Sequence, residues 1–200
     1  PFRVAGKSLQ VPASVGIAVH PDHGRRDKLV ANADAAMYVA KRSGIGSYAL
    51  FEAHMGEEVE ARLRLQNELR LAIEVGQLEM HYQPKFDSQR GGIRGVEALV
   101  RWNHPQRGLL APTEFIPVAE GCGLIGALGH WVIEECCRQM AAWAQRGVRM
   151  RVAINVSVHQ LREEDLVQRI HAALTRHAVD PALLLCEITE SVAMEDIRAT

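Results

Sequence analysis

The sequence predicts an α/β fold with a mostly parallel sheet, preceded by a small α+β remnant. Three observations lead there. From residue 79 onward, strand-like segments alternate with helix-like ones, the pattern of parallel strands joined by helical crossovers. Only DSQRGGI (87–93) separates the first two of these strands, too little chain for a parallel crossover, so that first pair should be antiparallel. Finally, polar residues recur at one side-chain parity on successive strands, toward their C-terminal ends. In a barrel of parallel strands, active sites sit at that end.

The elements follow in chain order. Residues 11–19 (VPASVGIAV) alternate and are rich in Val and Ile, which reads as a strand. After the turn PDHGRRD, Leu29, Ala33, Ala36, Met37 and Ala40 recur at helical spacing over 28–42, with Asp27 as N-cap and Gly44 as stop. SYALFE (47–52) reads as a short strand. This β-α-β remnant is too small to hold a core alone. A charged connector at 53–61 runs into an amphipathic helix carrying Leu65, Leu69, Ala72 and Ile73, stopped near Gly76, and the domain boundary falls there. Strands are expected at 79–86, 94–101, 150–157 and 183–189. Helices are expected at 114–120, 127–146 and 163–177. Glu163, Glu164 and Asp165 open the last helix and Arg176 and His177 close it, the order that suits a helix dipole.

Composition excludes little but is consistent. The chain has 200 residues, 48% hydrophobic and 24% charged, with a formal net charge of −1. That balance gives no reason to expect a nucleic-acid polymer or an anionic membrane as partner. No apolar run reaches the ~18 residues of a membrane helix. The start at Pro1, with no initiator Met, reads as a cut end, with room for an anchor or sensor upstream. Cys122, Cys136, Cys137 and Cys186 form no CxxC pair and read as reduced packing cysteines of a cytoplasmic protein. The histidines are scattered, with no HxH or HExxH.

Strand parity sharpens the functional reading. One face carries Val96, Ala98, Val100, Val152, Ile154, Val156, Leu184, Cys186 and Ile188, suited to a helix layer. The other carries Glu97, Leu99, Arg101, Ala153, Asn155, Ser157, Leu185, Glu187 and Thr189. Glu97, Asn155 and Glu187 are oxygen donors on three strands, the kind of shell that Mg²⁺ or Mn²⁺ prefers. Against that stands simple pairing of the carboxylates with Arg101 or backbone groups. Arg101 lies two side-chain repeats beyond Glu97 on the same face. Its guanidinium either holds a phosphate by bidentate bonds or neutralises Glu97.

The ordered segments YQP (82–84), EALVRW (97–102), NHPQRGLLAPTEFIPVAE (103–120), GLI (123–125), NVS (155–157) and EITES (187–191) resemble the EAL domain family over essentially 62–200. The resemblance implies an EAL-type TIM-like (β/α) barrel with its first strand antiparallel. It implies hydrolysis of cyclic di-GMP to linear pGpG with Mg²⁺ or Mn²⁺. Glu97, Asn155 and Glu187 match the family's metal ligands, Glu97 as the catalytic carboxylate, and Arg101 and Gln83 match positions that contact the dinucleotide. The alternative is a non-catalytic receptor that binds cyclic di-GMP through a degenerate EAL domain. A homodimer of the intact protein is compatible with either. Ser157 and Ser191 are expected in local hydrogen bonding, Trp102 and Trp131 in packing, and Glu190 in a supporting or capping place.

SVGIAV (14–19) and ADAAMYVAKRSG (33–44) resemble the end of a GGDEF domain, which assigns 1–52 to its C-terminal part, 53–61 to the connector and 62–200 to the first half of the EAL domain. Two departures stand out: Ile45 replaces a usual basic residue, and Gly121-Cys122 follow AE where the family often has an acidic and then a small residue. The 139 residues of 62–200 compare with the ~250 typical of an eight-stranded barrel. The family's paired aspartates, lysine and later glutamate would lie beyond Thr200, so the barrel is expected to be incomplete and this piece inactive alone.

Overall fold

The computed structural model describes residues 2–4, 7–9, 12–44, 46–89 and 91–188. The chain divides into two compact units, Pro1–Arg64 and Leu65–Thr200.

In the first unit, β1 (Phe2–Val4) and β2 (Lys7–Leu9) form an antiparallel pair. They precede β3 (Val15–Ile17), α1 (Leu29–Ser43) and β4 (Tyr48–Leu50), with β3 and β4 parallel. Gly16 lets β3 lie directly on α1, since a Cβ there would overlap Ala33 O and Met37 N. Ala35, Ala36 and Met55 are buried together, with Phe51 and Val59 against them. The strand expected over 11–19 is confined to Val15–Ile17, and residues 11 and 45 lie outside the described residues. The N-cap of α1 is Lys28 rather than Asp27. Lys28 N already donates to Arg25 O at 2.9 Å, so the chain turns before the helix, and no side-chain cap hydrogen bond closes its start.

The charged stretch 53–61 is helical. It forms the opening turns of α2 (Ala53–Val75), whose residues to Arg64 belong to the first unit and whose remainder belongs to the second. Glu57, Glu58, Glu60 and Ala61 are good helix formers, and Met55 and Val59 give this stretch an apolar side.

The second unit is organised by a sheet in the order β5-β6-β8-β9, with β7 paired to β6. β5 (Leu78–Phe86) is antiparallel to β6 (Ile93–His104), whereas β8 (Arg151–Val156) and β9 (Leu184–Ile188) run parallel to it. β6 runs three residues past the expected end because Trp102, Asn103 and His104 pair with β7 (Gly108–Leu110) around a turn. Trp102 is fully buried edge-on to Phe115, and its indole N–H donates to Gln77 Oε1 at 3.1 Å. His104 Nδ1 accepts the amides of Gln106 and Arg107, so its Nε2 carries the proton and donates to Glu68 Oε2 at 3.1 Å.

Helices α3 (Pro112–Cys122), α4 (Ile125–Gln145), α5 (Val158–Leu161) and α6 (Leu166–Arg176) complete the unit. α3 starts two residues before the expected position because Pro112 occupies its first turn, where the missing N–H costs nothing. Glu163 and Glu164 precede α6 rather than opening it. Val96, Ala98, Val152, Ile154 and Val156 are buried against Ile133, Cys136, Cys137 and Met140 of α4, as the helix-facing parity requires. On β9 that parity holds at Leu184, which packs against this cluster, while Cys186 and Ile188 are exposed. All four cysteines are free thiols. No helix among the described residues is long and apolar enough to cross a membrane.

Candidate active site

The antiparallel register of β5 and β6 places Gln83 opposite Glu97 and Glu79 opposite Arg101. Directly opposed residues project to the same side of a sheet. The parallel ladders add Asn155 of β8 beside Glu187 of β9. Gln83, Glu97, Asn155 and Glu187 therefore share one face, away from α4. Asn155 Nδ2 donates to Glu97 Oε1 at 2.8 Å. Lys85 Nζ lies 2.5 Å from Glu187 Oε1 and 3.8 Å from Glu97 Oε2. The side chains of Glu97 and Glu187 keep 28% and 41% exposure, so both stay partly hydrated and their charge needs only modest compensation.

Arg101 shares the face but stands apart. Four residues at about 3.3 Å rise put it roughly 13 Å up the strand from Glu97. Its Nη1 donates to the carbonyl of Val100 at 2.9 Å, and it makes no ion pair with Glu97. The carboxylate is neutralised by Lys85, which the sequence reading passed over. The signal was present: Lys85 follows Gln83 by two residues on the same strand, so the alternation that places one places the other. Thr189, Glu190 and Ser191 lie outside the described residues.

At the C-terminal ends of β6 and β8 lies a cleft of about 570 Å³ between the strand ends and helices α3 and α4; Glu97, Leu99 and Asn155 border it, and the rest of its wall comes from the helix-facing side, including Val100 and Ile154, and from α3 and α4, including Glu120 and Val132. Apolar walls with a few convergent polar groups are the usual make-up of a small-molecule site. Glu120 and the buried Gln160, which also borders the cleft, were not singled out from sequence, because nothing in helical periodicity marks which helix residues border a strand end.

The donor set fits a hard divalent cation. Two carboxylates and one side-chain amide, whose nitrogen here faces Glu97, converge from neighbouring strands, and a cationic ammonium already lies between the carboxylates. Among the described residues, no group of three or more His, Cys, Asp or Glu side chains is placed to hold a metal. The titrations that burial shifts strongly belong to the opposite, helix-facing side. Tyr82 has a buried hydroxyl beside the Cys136 thiol, packs edge-on to Trp143, and is raised by that burial. Burial pushes Cys136 up to about 12 and Cys137 up to about 11.

Residues 66–200 match the model of the EAL domain. The chain belongs to the EAL domain family. Over its whole length it is 44% identical to the bifunctional diguanylate cyclase/cyclic di-GMP phosphodiesterase MucR of Pseudomonas aeruginosa, covering 30% of that protein. It is 41% identical to the cyclic di-GMP phosphodiesterase PdeR of Escherichia coli K12 over 98% of this chain and 30% of the relative. Among solved structures, the PaMucR phosphodiesterase in complex with c-di-GMP superposes with a TM-score of 0.63 at 46% identity, covering 68% of this chain and 56% of that one. The FimX EAL domain of Xanthomonas citri, at 21% identity and a TM-score of 0.62 over 71% of this chain and 55% of that one, shares the fold. This EAL chain thus spans less than a third of the length of those two curated relatives.

Proposed function

We propose that the protein carrying this EAL domain is a cyclic di-GMP phosphodiesterase that opens the dinucleotide to linear pGpG with Mg²⁺ or Mn²⁺. The observation that carries this reading is the convergence of Glu97, Asn155 and Glu187 on one sheet face beside the cleft. The relatives named as cyclic di-GMP phosphodiesterases support it. A bound divalent ion would supply an activated water and screen charge on the attacked phosphate. Glu97 and Glu187 bring the two negative charges that hold it, and Asn155 brings a neutral oxygen. Arg101, roughly 13 Å along the strand, is spaced for a second point on an extended substrate, where its planar fork suits a phosphate. Gln83, opposite Glu97, is placed to donate a hydrogen bond to the dinucleotide. In the hydrolysis, the water oxygen bonds to phosphorus, the 3′ oxygen leaves and takes up a proton, and one phosphodiester of the ring is opened.

We assign residues 1–52 to the end of a GGDEF domain, 53–61 to the link, and 62–200 to the first part of an EAL barrel whose first strand is antiparallel. The parallel β3/β4 pair around α1 and the alignment of the whole chain with a bifunctional diguanylate cyclase/phosphodiesterase support this. We place turnover in the full-length, cytoplasmic enzymatic region and not in the 200-residue span alone.

The test is Glu97→Ala in the full-length protein, with pGpG measured chromatographically in Mg²⁺ and in Mn²⁺. Turnover should be abolished while the melting transition is retained. Undiminished activity sinks the assignment, and binding without hydrolysis by the unmutated protein identifies a receptor instead.

A further inference from the structure

We propose that Gln160, seated on Gly129, is a positioning residue for Asn155, so that metal affinity depends on a glutamine held outside the coordination sphere. This rests on the reading of Asn155 as a metal ligand.

β8 ends at Val156, one residue beyond Asn155. Ser157 follows at once as N-cap of α5. The Ser157 backbone N–H donates to Gln160 Oε1 at 3.0 Å, and the Gln160 N–H donates to Ser157 Oγ at 3.4 Å. A cap of this kind on a solvent-facing turn would leave the glutamine exposed. Here Gln160 is 5% exposed, and burying an amide is unfavourable unless its hydrogen bonds and packing are specific.

The packing is specific. A Cβ at Gly129 would overlap the Gln160 amide nitrogen and stand 2.8 Å from its Cδ. One turn earlier on the same helix, a Cβ at Gly126 would overlap Glu163 Oε1 and stand 3.2 Å from its Cδ. Glycine inside a helix is destabilising relative to alanine. α4 carries two at the positions where the chain after β8 lays polar side chains across it. α4 is itself fixed to the sheet by Ile133, Cys136 and Cys137. The backbone that follows Asn155 is therefore tied to a rigid helix as well as to its own strand. Asn155 is exposed and its side-chain amide donates to Glu97, so the strand end behind it sets where its amide stands. Outer groups that orient a ligand usually change metal affinity about 10–100-fold when removed.

The experiment uses the full-length protein and Mn²⁺ as the probe. Mn²⁺ affinity by calorimetry and melting temperature are measured for Gln160→Met, which keeps the volume and loses the acceptor. Ser157→Ala loosens the same turn and serves as a second variant. Asn155→Ala and the double variant Asn155→Ala/Gln160→Met complete the set. Gln160→Met is expected to weaken Mn²⁺ binding roughly tenfold, Ser157→Ala to weaken it less, and Gln160→Met to add nothing in the Asn155→Ala background, the non-additivity of residues acting through one another. A lowered melting temperature with unchanged Mn²⁺ affinity overturns the proposal, as does an equal loss in both backgrounds. If Asn155→Ala alone leaves Mn²⁺ affinity unchanged, the ligand reading itself is wrong and the positioning role falls with it.

Discussion

Replacing Lys85 by Met should tighten divalent-cation binding. Lys85 Nζ sits 2.5 Å from Glu187 Oε1 and 3.8 Å from Glu97 Oε2, so a metal that uses these carboxylates must share them with an ammonium. Two unit charges about 4 Å apart repel by ~1 kcal/mol in bulk water and ~4 kcal/mol at an effective dielectric of about 20. A doubly charged ion doubles both figures. The Lys85 side chain is 38% exposed, and Glu97 and Glu187 keep 28% and 41%, so the water-like limit governs and the penalty is about 1–2 kcal/mol. At ~1.4 kcal/mol per decade, Lys85→Met should bind Mn²⁺ roughly 5–30-fold more tightly at low salt, with a smaller gain at high ionic strength. Without metal, the same variant leaves two carboxylates facing each other, so its melting temperature should fall when a chelator is added. Titration calorimetry in low and high salt decides the matter. Unchanged or weaker Mn²⁺ affinity would show that Lys85 orders the carboxylates rather than competing for them, and would refute the electrostatic reasoning.

Three further outcomes are expected. Arg101→Lys should weaken cyclic di-GMP binding about tenfold or more, in line with the ~1.5–3 kcal/mol of a charge-assisted hydrogen bond, with little change in melting temperature because the side chain's own bond is to the adjacent Val100 carbonyl; calorimetry that finds unchanged affinity rules out the phosphate role. Alkylation at neutral pH followed by peptide mass mapping should spare Cys136 and Cys137, whose thiols burial pushes up to about 12 and about 11, until the protein is unfolded. The acid limb of stability should carry a contribution from Glu134: burial alone would raise its carboxyl, but bonds from His177 and Arg176 outweigh it and hold it below its ordinary value of 4.5. That contribution is complete above the ordinary value and is lost as pH falls through the depressed one, so Glu134→Gln should flatten the dependence and lower the neutral-pH melting temperature by about 1–3 °C, as a partly exposed pair warrants.

Periodicity made most of the second unit legible, because a strand buried on one side must alternate and a helix on a sheet must repeat every third or fourth residue. Val152, Ile154 and Val156 are buried for that reason, and so are Ile133, Cys136 and Cys137. The misses fall where another force sets the boundary. Trp102 and His104 continue β6 because a three-residue strand returns beside them and because each has a polar partner from α2 or its C-terminal flank. The sequence 103–107 carries turn residues that hide this. Residues 53–61 carry three glutamates and only two large apolar residues, Met55 and Val59, yet those two suffice to anchor them as helix. Cys186 and Ile188 have the parity of helix-facing residues and are exposed, since parity states which side a residue takes and not whether anything covers it.

The same distinction governs the site. Parity grouped Glu97, Asn155, Glu187 and Arg101 correctly by face, but distance along a strand is a separate coordinate, and it separates Arg101 from the other three. Charge supplied what parity left open: two partly exposed carboxylates converging on one face favour a cation beside them, and Lys85 takes that place. The third position has a subtler demand. In the present arrangement Asn155 donates its N–H to Glu97, whereas toward a metal it would offer its oxygen. A terminal amide can do both by turning about its last torsion. An aspartate could not donate to Glu97, and would add a third negative charge beside two carboxylates that share one lysine. On the proposed metal reading, Asn155 is therefore a residue type that can bond to Glu97 and could also offer an oxygen to a cation. If that reading holds, this double capacity is a stronger physical reason for an amide at this strand end than its oxygen alone.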